Sequence, residues 1–172
     1  TPSIAADSAD LDLLTKAITI ASKARPTKRK GAQQLADASA ALAAIGARPL
    51  DGTADLSREW HQQAIASGKV TAPPPTRGRV LGPTYRAITV GPGKAFATDQ
   101  IFLAGQWAEV RIAPTDAGET SLSVVDAAGK PVCPPQSGKR AVCRWLPPFS
   151  ARYNIRTAND GRAESRFYLL TN

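Results

Sequence analysis

Histidine, cysteine and methionine are scarce in this chain, and their scarcity argues against several kinds of chemistry. The 172 residues include one histidine, two cysteines and no methionine. Two cysteines and one distant histidine cannot supply the four ligands of a structural zinc site. The cysteine spacing also differs from the C-x-x-C pattern of thioredoxin-like proteins. We therefore expect no metal site and no cofactor.

Long apolar runs are also missing from the sequence. No stretch approaches the roughly 18 apolar residues that a membrane-spanning helix needs, so we expect no transmembrane segment. Hydrophobic residues make up 42% of the chain and charged residues 21%, which is typical of a folded globular protein. The chain begins with small residues and no methionine, so we expect either a processed end, after a removed signal peptide, or an artificial boundary.

Acidic residues are fewer than basic ones, and the formal net charge is +8. The surplus is spread evenly, because residues 1–79 and 80–172 each carry 11 Lys or Arg against 7 Asp or Glu. A basic surface favours anionic partners such as acidic glycans, lipid headgroups or nucleic acid. A basic surface that serves only solubility is the alternative interpretation.

The first third of the chain has the pattern of about three helices. Apolar residues recur at helical spacing in 10–24, 32–46 and 54–68, and Pro26, Gly46 and Gly68 provide the stops. The composition then changes, because 69–83 is rich in proline and glycine and includes three consecutive prolines. We predict a helical unit over 1–68 and a stiff linker over 69–83.

From residue 84 onward the apolar period becomes two, as in β-strands with one buried face. In "WAEVRIA", Ala108, Val110 and Ile112 alternate with polar residues, and "RYNIRT" repeats the pattern. Short segments of this kind, divided by glycine-containing turns, predict an antiparallel β-sandwich over 84–172. The predicted fold class is α+β, with an N-terminal helical unit followed by a jelly-roll-like sandwich and one disulfide.

Both cysteines lie in "CPPQSGKRAVCRW", where the intervening prolines and glycine indicate a hairpin-like connection. We predict a disulfide between Cys133 and Cys143, which would stabilise the fold by roughly 3 kcal/mol in the chain-entropy model. Two reduced cysteines on facing strands would give the same pattern. Because disulfides persist in oxidising compartments, the pair also predicts a periplasmic or secreted protein. Trp145 is expected to pack near this bond.

The β part, about 84–172, resembles the bacterial pre-peptidase C-terminal-like β-sandwich domain. The similarity rests on "AGQWAEVRI", "SLSVVDAAGK" and "ARYNIRTANDGRAESRFYLL". Residues at the positions that the family pattern requires are Ala104, Gly105, Val110, Ile112, Asp126, Gly129, Lys130, Tyr153, Ile155, Asn159, Tyr168 and Leu169. The resemblance implies a non-catalytic domain of an exported protein with a role in substrate or polysaccharide binding. It does not extend to the helices.

The chain departs from calcium-binding members of that family. Ser121 and Ser123 stand where those members have acidic residues, which leaves only Asp116, Glu119 and Asp126. The resemblance therefore does not predict a calcium site.

Candidate ligand-binding residues lie on the strands and in one loop. Trp107 alternates away from the buried face of its strand, so it would stack on a glycan or pack against the helices. Arginines on the outward side of strands could form a positive strip, namely Arg111, Arg144, Arg152 and Arg156. The alternative is that these arginines only keep the surface soluble and bind no ligand.

The densest basic run is "KARPTKRK", with five Lys or Arg in residues 23–30. One interpretation is a solvated loop. The other is a loop that binds an anionic partner through Arg25, Lys28, Arg29 and Lys30. No aromatic residue interrupts it, which argues against single-stranded nucleic acid as the partner.

No catalytic constellation emerges from the sequence. His61 has Asp55 and Glu59 nearby on its helix but no serine in a G-x-S-x-G turn. We therefore predict a non-enzymatic module that binds an anionic envelope polymer, a glycan or a protein partner. The alternative is a structural or regulatory C-terminal appendage of a secreted peptidase, released by processing. The oligomeric state is not predicted.

Overall fold

The computed structural model describes residues 4–50, 52–78, 81–115, 119–138 and 141–172. It has the α+β architecture expected from the sequence, with N-terminal helices followed by two largely antiparallel sheets and one disulfide. The chain divides into two compact units, one over Asp7–Arg86 and the other over Ala87–Asn172.

Three helices build the first unit. They are α1 (Ile4–Lys23), α2 (Arg29–Ala44) and α3 (Leu56–Ala66). The helical repeat was recognised only over 10–24, whereas α1 begins earlier, at Ile4, in a stretch that contains several alanines. Asp55 does cap α3, since its Oδ1 accepts from Arg58 N at 3.3 Å.

Helices α2 and α3 are joined by reciprocal hydrogen bonds between two serines. Ser57 Oγ donates to the Ser39 carbonyl at 2.8 Å, and Ser39 Oγ donates to the Ser57 carbonyl. Tyr85 adds a longer-range link, because its hydroxyl accepts from Leu56 N at 3.0 Å in a buried position. Leu35, Leu42 and Trp60 are buried, so α2 and α3 direct apolar side chains inward as the helical spacing predicted.

The proline-rich segment lies close to the end of α2 at two glycines. Gly78 N donates to the Ala43 carbonyl at 3.0 Å. A Cβ on Gly78 would lie 2.3 Å from the Ala44 carbonyl oxygen, and one on Gly82 would lie 2.1 Å from that of Ile45. Beyond Gly82, the two-residue strand β1 (Arg48–Pro49) pairs in parallel with Thr84 and Tyr85. The segment 69–83 thus contacts the helices over part of its length, and the predicted boundaries at 68/69 and 83/84 stay a prediction.

The second unit is a two-sheet sandwich. The strands are β2 (Thr84–Val90), β3 (Ala95–Phe102), β4 (Ala108–Pro114), β5 (Thr120–Val125), β6 (Gln136–Ser137), β7 (Val142–Trp145), β8 (Ala151–Asn159) and β9 (Ser165–Thr171). One sheet has the order β2-β9-β4-β7 and the other the order β3-β8-β5-β6.

The core of this unit lies between the two sheets. Val110 and Ile112 of β4 enter it from one sheet, and Tyr153 and Ile155 of β8 enter it from the other. The predicted alternation on these two strands is confirmed, because the residue between each of these pairs is not part of this core. On β4, Glu109 of the opposite side is nevertheless buried as well. Thr157 is also buried on this side, and its hydroxyl oxygen has no hydrogen-bond partner among the described residues.

Candidate ligand-binding surfaces

The two cysteines form the predicted disulfide, which joins two segments of the sandwich. Cys133 and Cys143 are bonded, with their Cα atoms 5.8 Å apart. Val132 N donates to the Val124 carbonyl at 3.1 Å, which fixes the segment before Cys133 against β5. Cys143 is fully buried in β7 and pairs with Val110 of β4. The bond therefore connects the β5 side of the sandwich to the β4–β7 side.

A tight turn precedes the disulfide. Asp126 Oδ1 accepts from the backbone N–H groups of Ala128 and Lys130, both at 2.9 Å, and Gly129 has a φ of 81°. This carboxylate is used to hold the turn, as expected for an aspartate at the start of a glycine-containing turn. Of the other two acids considered for calcium, Glu119 is exposed and Asp116 lies outside the described residues.

A groove of about 460 Å³ opens between this turn and the segment after β7. It lies next to the disulfide, because Val132 and Trp145 are among its walls. The remaining lining is mostly apolar and consists of Asp126, Ala127, Ala128, Lys130, Pro131, Leu146, Pro148, Phe149, Ala151 and Tyr153. A cavity of this size falls in the range that proteins use to hold ligands or partner side chains.

The outer rim of the groove exposes large apolar side chains. Phe149 is 70% exposed and Leu146 is 49% exposed. The segment that carries them is fixed to a neighbouring loop, since Gly105 N donates to the Pro147 carbonyl at 3.1 Å and Ala104 N donates to Ser150 Oγ at 2.9 Å. Sequence reasoning missed this rim, although Phe149 after two prolines in "LPPFS" was a signal for an apolar side chain in a turn.

The inner wall of the groove is aromatic. The rings of Trp145 and Tyr153 are 5.2 Å apart, and that of Phe102 lies 4.8 Å from Trp145 in an edge-on arrangement. Trp145 therefore packs in the core near the disulfide, as predicted. Its Nε1–H is buried and has no hydrogen-bond acceptor among the described residues, which is uncommon for a buried indole.

Trp107, Arg111 and Arg144 lie together on the outward side of β4 and β7. The Arg144 guanidinium carbon lies 5.3 Å from the centre of the half-buried Trp107 ring. Glu109 connects the two arginines, with Arg111 Nε at 2.6 Å from Oε2 and Arg144 Nε at 3.6 Å from Oε1. The negative charge of the buried Glu109 offsets much of the positive charge expected here.

Arg152 and Arg156 belong to a different surface. They project from the outward side of β8, which is a strand of the other sheet. The interpretation of Arg111, Arg144, Arg152 and Arg156 as one positive strip is therefore wrong, because the two pairs lie on opposite sheets. Alternation identifies the side of a strand that faces outward, but it does not identify the sheet to which the strand belongs.

The basic run lies in the first unit, at the junction between α1 and α2. Arg25 and Lys28 lie in the connecting segment, whereas Arg29 and Lys30 begin α2. All four side chains are exposed.

The other candidates for chemistry have structural partners. His61 Nε2 lies 3.1 Å from the Pro73 carbonyl oxygen and 3.3 Å from that of Ala72. Asp55 caps α3 and Glu59 accepts from Gln63, so neither acid is shown bonded to His61. Over the residues with described positions, no cluster of three or more His, Cys, Asp or Glu could hold a metal ion. No helix in these same ranges is long and apolar enough to cross a membrane.

Comparison with known proteins gives structural neighbours only. No known family and no curated protein matches the chain. One similar solved structure is that of Aeromonas hydrophila PliG, a periplasmic lysozyme inhibitor of g-type lysozyme. The match covers 52% of this chain and 84% of the PliG chain, at 13% sequence identity and a TM-score of 0.42. Another is that of the Yersinia pseudotuberculosis-derived mitogen. This match covers 53% of this chain and 85% of the mitogen chain, at 12% sequence identity and a TM-score of 0.41. Similarity at this level identifies neither a shared family nor a shared ligand.

Proposed function

We propose that this chain is a non-catalytic binding module of an exported protein, and that its ligand is a protein partner that inserts an apolar side chain into the groove beside the disulfide. The observation that carries the proposal is the exposed Phe149 and Leu146 at the rim of a groove of about 460 Å³. Burial of such side chains against a partner is favourable, at about 25 cal/mol for each Å² of apolar surface removed from water.

The lining supports a protein partner more than a glycan. A sugar needs several polar side chains that converge on its hydroxyl groups, whereas this lining consists mostly of alanine, proline and aromatic residues, with Asp126 and Lys130 as its only charged members. Of the polar groups present, Asp126 is already bonded within its turn. The buried Trp145 Nε1–H would gain an acceptor if a partner backbone carbonyl reached it after a small side-chain movement.

The groove is also preorganised. The disulfide ties the wall at Val132 to the wall at Trp145, and hydrogen bonds to Ala104 and Gly105 fix the loop that carries Phe149. A surface held in place before binding loses less conformational entropy when the partner arrives.

The disulfide supports the exported, periplasmic or secreted location, because such bonds are rare in reducing compartments. Membership of the pre-peptidase C-terminal-like family stays our proposal for 84–172. The two-sheet sandwich supports it, as do Gly129 in a left-handed turn and Asn159 at the end of β8.

The proposal is tested with a phage-displayed peptide library panned on the purified chain. Wild type should enrich peptides with a shared large apolar residue, and Phe149→Ser should lose this enrichment. Leu81→Ser is the matched control, because Leu81 is 75% exposed but lies in the other unit, and it should enrich the same peptides as wild type.

A glycan array run on the same three proteins tests the competing hypothesis that the ligand is a glycan. Glycan binding that depends on Phe149, without peptide enrichment, would show that the ligand is a polysaccharide and not a protein. Enrichment that is equal for wild type and Phe149→Ser would show that the groove is not the binding site. Circular dichroism of each variant confirms that the exposed substitutions leave the fold intact.

A further inference from the structure

A second cavity, in the helical unit, has an unusual charge distribution. It is an open cleft of about 450 Å³ between the end of α1, the connecting segment and the start of α2. Four of its lining residues are cations, namely Lys23, Arg25, Lys28 and Lys30. The other four are neutral, namely Thr19, Ile20, Gly31 and Gln34, so the lining contains no carboxylate.

The cations of this cleft are not neutralised by the protein. None of the four forms an ion pair with a described residue, and the nearest acids along the chain are Asp12 and Asp37. Asp37 accepts a hydrogen bond from Gln33 at 2.9 Å. Like charges around one cleft repel each other, and the repulsion is relieved when an anion enters.

The start of α2 adds to this positive charge. Lys28 occupies the N-cap position and makes no side-chain capping bond, and the first turn of α2 has no acidic residue. Helix starts usually carry Asp, Ser, Thr or Glu, because the unpaired backbone N–H groups there favour negative charge. Cations at this position oppose that preference, so the local sequence is poorly suited to the helix unless an anion binds.

The cleft is fixed at its centre by a close backbone contact. A Cβ on Gly31 would lie 2.0 Å from the Arg25 carbonyl oxygen, so the connecting segment packs directly on the first turn of α2. Lys28 N donates to the same Arg25 carbonyl at 3.1 Å. Arg25 and Lys28 are therefore held on a defined turn beside α2 and not on a long solvated loop.

We propose that this cleft binds a phosphate group. Several cations beside backbone N–H groups at a helix start provide charge and hydrogen-bond donors for the oxygens of a phosphate. The cleft is larger than one phosphate group requires, so it has room for the substituent of a phosphate ester. The same chemistry is found in a phospholipid headgroup and in a soluble phosphate ester, and the experiment distinguishes these two sources. The site is separate from the groove beside the disulfide, and either proposal can fail without the other.

The test compares two variants of equal charge. Lys28→Gln/Lys30→Gln removes two cations of the cleft, and Lys69→Gln/Lys94→Gln removes two exposed cations outside it, so both variants have a net charge of 8 − 2 = +6. Inorganic phosphate is titrated into ¹⁵N-labelled wild type and both variants at low salt. Amides of residues 19–34 should shift in a saturable way in wild type and in the control.

In the cleft variant, the affinity for phosphate should fall at least about fivefold, because two charge-assisted contacts are lost. An equal loss in both variants would mean that the net charge and not the cleft attracts phosphate, and the proposal would be overturned. Absence of a saturable shift around the cleft in wild type would overturn it as well.

Sedimentation with phosphatidylglycerol and phosphatidylcholine vesicles identifies the source of the phosphate. Binding to phosphatidylglycerol that is lost in the cleft variant and kept in the control assigns a lipid headgroup. Binding to inorganic phosphate without such vesicle binding assigns a soluble phosphate ester.

Discussion

Glu109 and Arg144 lie directly opposite each other on β4 and β7, and a 3.6 Å contact joins Glu109 Oε1 to Arg144 Nε. The other oxygen of the same carboxylate contacts Arg111 at 2.6 Å. Glu109 is only 3% exposed, whereas Arg144 reaches solvent. One buried acid therefore positions two arginines, and one of these arginines covers Trp107.

Substitution of Glu109 by glutamine should destabilise the protein. Removing one member of a buried ion pair leaves the other charge uncompensated, so we expect a loss of about 3 kcal/mol in the free energy of unfolding. Urea unfolding followed by tryptophan fluorescence measures it. Glu164→Gln is a matched control, because Glu164 and Arg166 have the same two-residue spacing and a 3.2 Å contact but are both exposed. The control should change the stability by less than about 1 kcal/mol, and equal effects would contradict the buried role of Glu109.

Reduction of the disulfide should lower the stability of the wild-type protein. The bond closes a short ring between Cys133 and Cys143, for which the chain-entropy model gives about 3 kcal/mol. Urea unfolding with and without a phosphine reductant measures the change without altering any side chain. Intact-mass spectrometry should show a gain of two hydrogens on reduction. An unfolding midpoint that is unaffected by full reduction would show that the bond does not stabilise the sandwich.

Substitution of Gly31 by alanine should destabilise the helical unit, although alanine is the better helix former. The new Cβ would lie 2.0 Å from the Arg25 carbonyl oxygen, so the backbone of the connecting segment must move. An overlap this close with backbone should cost about 3 kcal/mol, at the upper end of the usual range for overpacking, which exceeds the gain of about 1 kcal/mol in helix propensity. Helical circular dichroism during thermal unfolding measures the result.

The control for Gly31 is Ala40→Gly at an exposed position of the same helix. It should cost about 1 kcal/mol through propensity alone. If Gly31→Ala instead raised the stability by this same amount, the close contact with Arg25 would be disproved.

Substitution of Asn159 by aspartate should produce a pH-dependent loss of stability. The side-chain amide nitrogen donates to the carbonyls of Val90 and Ala163 at 2.9 and 2.8 Å, and Oδ1 accepts from Gly161 N at 3.0 Å. A carboxylate would place negative charge against two carbonyl oxygens in a buried site, which costs roughly 2 kcal/mol or more.

The sign of this pH dependence follows from the protonation of the new acid. Burial and the facing carbonyls favour the neutral acid, so the pKa of the aspartate would be raised in the folded state. The penalty should be smallest at acid pH and should grow as the pH rises above about 4, where the unfolded chain releases its proton. Asn159→Ala, which introduces no charge, should lose stability by an amount that does not vary with pH over this range. A pH-independent loss for the aspartate variant would contradict this account.

The order of the elements and most of the core could be predicted from the sequence. Alternation on β4 and β8 assigned Val110, Ile112, Tyr153 and Ile155 to the buried side correctly, because a strand places successive side chains on opposite faces. The disulfide was predicted because few other roles exist for two cysteines in a proline-containing hairpin. Local pattern was sufficient for the strands, whereas for the cysteines it did not distinguish a disulfide from two reduced thiols on facing strands.

The groove beside the disulfide and the placement of the four arginines on two different sheets could not be predicted in this way. Phe149 and Val132 line one cavity because they follow β7 and β5, which belong to different sheets joined by the disulfide. Arg111 and Arg156 show the same alternation, yet they lie on opposite sheets because the connections between strands cross from one sheet to the other. Strand pairing depends on contacts between distant segments, and a single sequence does not reveal them.

Two positions of the proline-rich segment require glycine, namely the two that lie against the end of α2, whereas its exposed positions do not. Any side chain at Gly78 or Gly82 would meet the backbone of Ala44 or Ile45, whereas Pro73 and Pro74 are exposed. In a library that randomises 73–82 and selects for folded protein, glycine should be retained at 78 and 82, and the proline positions should accept many residues. The segment would then diverge quickly between related proteins except at these two sites.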